Sequence, residues 1–152
     1  MNDQSKLLIE VKNLRTYFHL YEGTVKAVDG VSFNVHKGTT LGVIGESGSG
    51  KSVTAQSILQ IVPSPPGKIE EGEILLHLPN KAGKDQLIDL AKLDPDGDEL
   101  RNIRGKEISM IFQEPMRSFG PLNTIGQQIV EAIRIHKNPY LHSGVNSFCF
   151  TP

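Results

Sequence analysis

The sequence predicts an α/β fold, and three observations along the chain support that class. A short apolar run at residues 39–44 leads directly into the glycine-rich segment GESGSGKS, Gly45–Ser52. Apolar residues then recur with helical spacing as far as Val62, and stretches of alternating apolar and polar residues lie before and after this unit. A buried strand, a glycine-rich loop and a helix in succession are typical of α/β proteins that hold phosphate groups.

Two strands are predicted before residues 39–44. Residues 7–12 and 31–35 alternate apolar and polar side chains, which indicates strands with one buried face. The segment TYFHLYEGT between them, residues 16–24, is interpreted as a loop or a hairpin with Gly23 near its turn. Residues 39–44 are then expected to form a buried strand that leads into the glycine-rich loop.

A helix is predicted after the loop, from about Lys51 to Val62, because apolar residues repeat there at i, i+3, i+4 and i+7. Prolines at positions 63, 65 and 66 are expected to end it. The predicted buried face consists of four side chains: Ala55, Ile58, Leu59 and Val62.

The middle of the chain contains two further strand-like segments. Alternation over residues 74–78 predicts one strand, and the apolar run at residues 108–112 resembles another. Residues 79–100 are interpreted as polar and irregular. Within them, Asp94, Asp96 and Asp98 have the opening spacing of a calcium loop. The glycine and the bidentate glutamate that such a loop needs are missing, so a solvated loop is the favoured interpretation.

A last helix is predicted to open at Thr124, with Gln127 completing a capping box, and to stop at Asn138-Pro139. The chain from residue 136 to residue 152 shows no helical period, and we interpret it as an atypical, disordered tail. The expected buried face of this helix consists of Ile125, Ile129, Ala132 and Ile133.

Composition excludes several classes of protein. The formal charge of −1 provides no overall basic field, so nucleic acid is not an expected partner. The single cysteine, Cys149, cannot form an internal disulfide and fits a reducing compartment. We find no apolar run long enough for a transmembrane helix, no signal-peptide pattern and no metal-ligand spacing among the five histidines.

The segment GESGSGKS matches the phosphate-loop pattern G-x-x-x-x-G-K-[ST] in full. In such a loop, backbone N–H groups and the N-terminus of the following helix surround phosphate, the lysine contacts the β- and γ-phosphates, and the hydroxyl ligates Mg²⁺. The alternative is a chance glycine-rich turn. The pattern therefore predicts that ATP and Mg²⁺ are held by Gly45, Glu46, Ser47, Gly48, Ser49, Gly50, Lys51 and Ser52.

Three separated segments indicate which class of phosphate-loop protein this sequence resembles. They are VKNLRTYF near the amino terminus, AVDGVSF before the loop, and ISMIFQEPMRSFGPLNTIGQQIVEAI at residues 108–133. Together with GESGSGKS they resemble the ATP-binding subunits of ABC transporters, in particular the oligopeptide and dipeptide importers of prokaryotes. The resemblance covers about residues 7–135. It implies a P-loop NTPase of the ABC type, with an N-terminal antiparallel β subdomain and a RecA-like core.

The resemblance also assigns residues outside the loop. Gln113 matches the Q-loop glutamine, which implies contact with Mg²⁺ and the attacking water; the alternative is a polar residue at a strand end. It implies catalytic roles for Lys51 and Gln113. Phe18 matches the aromatic position that stacks on adenine, with Tyr17 and Tyr21 as rivals and a core aromatic as the alternative.

Partners and location follow from the same resemblance. Residues 114–121 would contact transmembrane permease subunits. Phe119 and Gly120 depart from the usual small-Leu-Asn-Pro pattern and alter the shape of this contact, which leaves the docking affinity open. A second ATP-binding subunit would complete the nucleotide site. The protein would act peripherally on the cytoplasmic face of the plasma (inner) membrane and would energise peptide import as an ATPase.

Three family motifs are not found in these 152 residues: the LSGGQ-type loop, an apolar strand ending in Asp-Glu, and the switch histidine. We therefore expect a partial ATP-binding domain at 1–135, an incomplete core, and exposed apolar surface beside the phosphate loop. A truncation, a frameshifted gene or a fragment would each fit. Nucleotide binding is expected and turnover by this chain alone is not; a non-catalytic remnant is the alternative. A P-loop kinase or GTPase fits poorly.

Overall fold

Four antiparallel strands form one sheet in the order β2-β1-β3-β4. The computed structural model describes residues 7–79, 85–114 and 119–137. The chain divides into two compact units, residues 1–101 and 102–152, and the sheet belongs to the first. The strands are β1 (Leu7–Leu20), β2 (Gly23–His36), β3 (Gly67–Pro79) and β4 (Asp85–Asp89).

The β1–β2 pair is a hairpin, so the second of the two interpretations of residues 16–24 is correct. Leu20 faces Gly23 across the turn, and Gly23 has a φ of 140° that disfavours other residues. The alternation at the start of β1 is confirmed, since Ile9 and Val11 are buried.

A bulge in β1 explains why Val11 and Leu14 are both buried although their spacing is odd. The pairing of β1 with β3 shifts between Lys12 and Arg15, and Asn13 adopts a φ of 47°. A Cβ at Gly72 on β3 would lie 2.7 Å from Leu14 Cα, so only glycine fits opposite the bulge. The extra residue brings Leu14 back to the core side of the sheet.

The first helix is shorter than the sequence predicts: α1 spans Lys51–Ile58 and does not reach Val62. Gln60 adopts a φ of 49°, and its side-chain amide donates to the carbonyl oxygens of Leu90 and, at 3.1 Å, Leu93. This left-handed residue, anchored to a segment 30 positions away, ends the helix before the prolines.

The described part of the segment predicted as irregular, residues 85–100, is more ordered than predicted. It contains β4, a 3₁₀ turn at Leu90–Lys92 and the first residues of α2, Asp98–Ile103. Asp89 caps the turn by accepting from the amide of Ala91 at 3.2 Å. The buried side chain of Leu90 supplies the apolar anchor that the polar composition concealed.

The predicted apolar face of α1 is wrong in part. Leu59, just beyond the helix, is buried, but Ala55 is exposed and the buried residue of α1 is Ser57. Ser57 Oγ donates to the carbonyl of Val53 at 2.7 Å and lies 2.8 Å from Oγ1 of the buried Thr16. Because the single Ser57 hydroxyl proton is used, the Thr16 hydroxyl must donate to Ser57. This bond fixes α1 against β1.

We expect an asymmetry when this bond is broken from its two ends. Ser57→Ala leaves the Thr16 hydroxyl buried without an acceptor and should cost about 1–3 kcal/mol of unfolding free energy. Thr16→Val removes the whole Thr16 hydroxyl, so no buried donor is left unsatisfied, and Ser57 keeps its bond to Val53. This change should cost less than about 1 kcal/mol of unfolding free energy. Urea unfolding of the two variants measures the difference; equal losses, or a larger loss for Thr16→Val, would contradict the assigned donor direction.

Residues 39–44, predicted as a buried strand, form no strand. Leu41, Val43 and Ile44 are exposed, Ile44 almost fully. A strand needs a neighbour that pairs its backbone N–H and C=O groups, and no strand within the described ranges pairs with this run. The apolar surface expected beside the phosphate loop is therefore present.

The second unit contains α3, Ile125–Lys137. Its capping box is confirmed: the Thr124 amide donates to Gln127 Oε1 at 3.0 Å, and the Gln127 amide donates to Thr124 Oγ1 at 3.3 Å. The predicted burial of its apolar face is wrong, because Ile125, Ile129, Ala132 and Ile133 are all exposed. No described element of this unit covers that face.

Residues 108–112 are also not a strand. Ile108 makes one isolated bridge with Arg104, while Ile111 and Phe112 are exposed. Residues 136 and 137, predicted as the start of a disordered tail, are instead the last residues of α3. The rest of that tail, from residue 138, and the predicted helix stop at Asn138-Pro139 lie outside the described residues. None of the described helices is both long and apolar enough to span a bilayer.

Candidate functional site

Lys51, the first residue of α1, folds back into the glycine-rich loop. Its Nζ donates to the carbonyl oxygens of Gly45 at 2.7 Å and Glu46 at 2.6 Å, and to Ser49 Oγ at 3.1 Å. An ammonium has three protons, and three loop oxygens accept them. The charge is thus held in the centre of the loop, where a phosphate oxygen could replace a carbonyl as its partner.

The N-terminus of α1 is open to an anion. Gly50 is the N-cap residue, with a φ of 87°, and no side chain caps the helix or places a carboxylate in its first turn. The free N–H groups of the first turn and the helix dipole favour a negatively charged ligand at this end.

Glycine is required at Gly50 for a second reason. A Cβ at this position would lie 2.2 Å from the carbonyl oxygen of Ala27 on β2. The loop backbone therefore packs directly against the sheet. Gly45 is also restricted, since a Cβ there would lie 2.7 Å from Ser49 Oγ and 3.8 Å from Lys51 Nζ, inside the space that the ammonium uses.

The other predicted loop residues follow the same course. Ser47 and Gly48 form a turn, closed by the Ser49 amide donating to the Glu46 carbonyl at 3.2 Å. Ser52 is exposed in the first turn of α1. A positive charge, uncapped helix amides and an exposed hydroxyl on one loop fit a phosphate ligand and a hard cation such as Mg²⁺.

Phe18 lies on β1, half-buried, and pairs with Val25 on β2 and Gly67 on β3. Tyr17 and Tyr21, the two alternative candidates for stacking on adenine, have different surroundings. Tyr17 donates its hydroxyl to Asp29 Oδ1 at 2.7 Å, and Lys26 Nζ lies 5.3 Å from its ring centre, so that ring is already engaged. Tyr21 is fully exposed at the hairpin turn.

The Tyr17–Asp29 bond predicts a pH effect. The Tyr17 hydroxyl, followed by Lys26 and Arg15, holds the pKa of Asp29 below its ordinary 3.8, and the bond raises the pKa of Tyr17 above 10.0. A lowered carboxyl pKa stabilises the fold above the unfolded value of 3.8 and ceases to do so as pH falls through the folded value. We expect Tyr17→Phe to raise the pKa of Asp29, measured by carboxyl-carbon NMR; an unchanged pKa would contradict the assigned cause.

Gln113 lies in the second unit, exposed, in irregular chain after residues 108–112. Residues 115–118 of the predicted docking segment lie outside the described residues. Gln128 on α3, which sequence reasoning missed, organises the rest of that segment. Its side-chain amide exchanges hydrogen bonds of 2.9 and 3.0 Å with the backbone of Gly120, and it donates to the Asn123 carbonyl at 3.0 Å.

The acidic loop at residues 94–99 has a local role. Asp94 Oδ1 accepts from the amide of Asp96 at 3.1 Å, and its carbonyl accepts from Gly97 at 3.0 Å. These bonds form a turn before α2. Within the described ranges, no three His, Cys, Asp or Glu side chains converge as metal ligands would.

Comparison with known proteins covers most of the chain. The sequence profile of the ABC transporter family matches residues 28–144. The oligopeptide transport ATP-binding protein of Bacillus subtilis is 48% identical over 130 residues, 86% of this chain and 33% of that protein. The dipeptide transport ATP-binding protein of the same organism is 46% identical over 130 residues, 86% of this chain and 36% of that protein.

One further relative and one solved structure support the same family. A probable peptide ABC transporter ATP-binding protein of Sinorhizobium fredii is 42% identical over 135 residues, 89% of this chain and 37% of that protein. The dimeric structure of a bacterial ABC transporter cassette superposes with a TM-score of 0.66 at 27% identity, over 93% of this chain and 51% of that chain. This chain thus spans about a third of the length of the curated relatives it matches. The predicted fold class and family resemblance are confirmed.

Proposed function

Because this chain belongs to the ABC transporter family, we propose that it supplies the ATP-binding site of a subunit that energises peptide import across a membrane. One observation carries the proposal: Lys51 Nζ is bonded to three loop oxygens at the start of a helix that has an uncapped N-terminus. The sequence similarity to peptide-transporter ATP-binding proteins supports the substrate class.

Each part of the loop has a role in this proposal. The backbone N–H groups of residues 45–50 and of the first turn of α1 hold the phosphates, and Lys51 moves its ammonium from the loop carbonyls to the β- and γ-phosphates. Ser52 would hold Mg²⁺, which supplies positive charge against the terminal phosphates. Gln113 is proposed as the Q-loop glutamine on the family resemblance alone. Phe18 would stack on the adenine base.

Partners are proposed from the same family membership. Residues 114–121 would contact permease subunits on the cytoplasmic side of the membrane, and the ties from Gln128 to Gly120 support that segment. A second ATP-binding subunit would contribute the other half of the nucleotide site. Residues 1–135 are proposed as part of the ATP-binding domain, and the family profile extends the match to residue 144.

Binding and turnover are separate proposals. These 152 residues contain no LSGGQ-type loop and no Asp-Glu pair at the end of an apolar strand. A missing general base removes about 10²–10⁴ in rate. Assayed alone, this chain is proposed to bind ATP without steady hydrolysis; a non-catalytic nucleotide-binding role is the alternative.

Calorimetric titration of the 152-residue chain with Mg²⁺–ATP tests the site, and AMP is the matched ligand that keeps the base and sugar. We expect saturable ATP binding that is at least about tenfold tighter than AMP binding, because the loop contacts the phosphates added in ATP. Equal affinities, or no binding of ATP, would contradict a phosphate site. Steady phosphate release by the purified chain would contradict the proposal of binding without turnover.

A further inference from the structure

We propose that His19 and Gly67 are positioning residues for Phe18, fixing its ring as the platform on which the adenine base stacks. This inference rests on the proposed nucleotide site and deepens it. Stacking depends on the tilt and position of the ring plane, so a half-buried ring near the end of β1 needs neighbours that hold this part of the strand in place.

His19, the residue after Phe18, joins three strands. Its Nδ1 lies 3.1 Å from Thr24 Oγ1 on β2, and its Nε2 lies 2.6 Å from Glu70 Oε1 on β3. The backbone amide of His19 also donates to the carbonyl of Pro66 at 2.9 Å. One side chain thus holds the carboxyl-terminal part of β1 between its two neighbours, next to the proposed platform.

Glu70 is a charged partner for His19. Nε2 of His19, carrying a proton, donates to Glu70 Oε1, and Nδ1 lies within hydrogen-bond distance of the Thr24 hydroxyl. Lys68, 2.8 Å from Glu70 Oε2, and then His19 hold the pKa of Glu70 below its ordinary 4.5. The carboxylate therefore remains a charged acceptor at neutral pH.

Gly67 packs against the ring of Phe18. It is buried, and a Cβ there would lie 3.0 Å from Phe18 Cε1, 2.5 Å from Val62 Cγ1 and 2.8 Å from the carbonyl oxygen of Pro63. The absent side chain therefore lets Phe18 and Val62 approach the same point. Val62 lies shortly after the end of α1. The contact at Gly67 therefore connects Phe18 to the segment that follows the phosphate-binding helix.

The test compares two ligands of the 152-residue chain, Mg²⁺–ATP and Mg²⁺–tripolyphosphate, which lacks the base and sugar. We expect His19→Ala to weaken ATP binding about three- to tenfold, part of the loss on removing a stacking ring, and to leave tripolyphosphate binding unchanged. Gly67→Ala should act in the same direction. Thr24→Val, which removes one His19 partner from the surface, keeps the test valid if Gly67→Ala fails to fold.

A double variant separates positioning from general stability. If His19 acts through the ring, His19→Ala added to Phe18→Ala should leave the ratio of ATP to tripolyphosphate affinity unchanged. Lys12→Ala is the matched control, since it removes an exposed ion pair with Glu10, 3.1 Å long, from the same strand; it should leave the ratio unchanged in the wild-type background.

Three outcomes would overturn the inference. His19→Ala could weaken both ligands equally or neither, its effect could persist in the Phe18→Ala background, or Lys12→Ala could change the ratio as much. If the unsubstituted chain binds neither ligand, the proposed nucleotide site itself is overturned, and the inference falls with it.

Discussion

Replacing Gly50 with alanine is expected to destabilise the first unit by about 2–5 kcal/mol and to abolish nucleotide binding. The φ of 87° costs any residue with a Cβ about 1–2 kcal/mol. The new Cβ would lie 2.2 Å from the Ala27 carbonyl, which forces β2 and the loop apart at a cost of about 1–3 kcal/mol. Thermal or urea unfolding measures the loss, and ATP titration measures binding.

Gly48→Ala is the control that isolates the contact with the sheet. Gly48 has a φ of 80°, close to that of Gly50, but a Cβ there would meet no atom within 4 Å. We expect a loss of about 1–2 kcal/mol from backbone strain alone. If both variants were equally stable, the close packing of the loop on Ala27 would be wrong.

The second large effect is expected at Lys51. Lys51→Ala removes the charged donor and should weaken ATP binding about 10- to 150-fold, since a charged hydrogen bond contributes about 1.5–3 kcal/mol. Lys51→Arg should not restore full affinity, because a planar guanidinium cannot direct its protons as an ammonium does. Calorimetry under one fixed salt concentration measures each constant.

Lys92→Ala removes the same charge elsewhere in the first unit. Lys92 Nζ pairs with Asp89 Oδ2 at 2.8 Å and is largely exposed, so its loss should change ATP affinity less than twofold. An effect as large as that of Lys51→Ala would mean that net charge, and not the position of Lys51 in the loop, determines binding.

Features that depend on neighbours in sequence were predicted well. The capping box of Thr124 and Gln127 spans three residues, and the hydrogen bonds within the loop of Lys51 span at most six. The family resemblance rests on such local motifs. Alternation in β1 also sufficed for Ile9 and Val11, because side-chain direction along a strand is a local property.

Features that depend on residues distant in the sequence were not predicted correctly. The end of α1 is set by Gln60 and the segment around Leu90, and the requirement for glycine at Gly50 is set by Ala27. Residues 39–44 and 108–112 have apolar strand composition but lack a described strand to pair with, so their backbones do not become strands. Hydrophobic periodicity indicates only that a segment favours the strand conformation; whether it becomes a strand depends on a neighbouring strand that pairs with it.

The central claim, that GESGSGKS in this chain binds nucleotide phosphates, is tested most directly by backbone amide NMR during titration with Mg²⁺–ATP. The largest shifts are predicted at Gly48, Gly50, Lys51 and Ser52, with smaller shifts near Phe18, and tripolyphosphate should reproduce the loop shifts alone. Saturation with no shift in residues 45–52, or shifts confined to other parts of the chain, would contradict the assignment of the site.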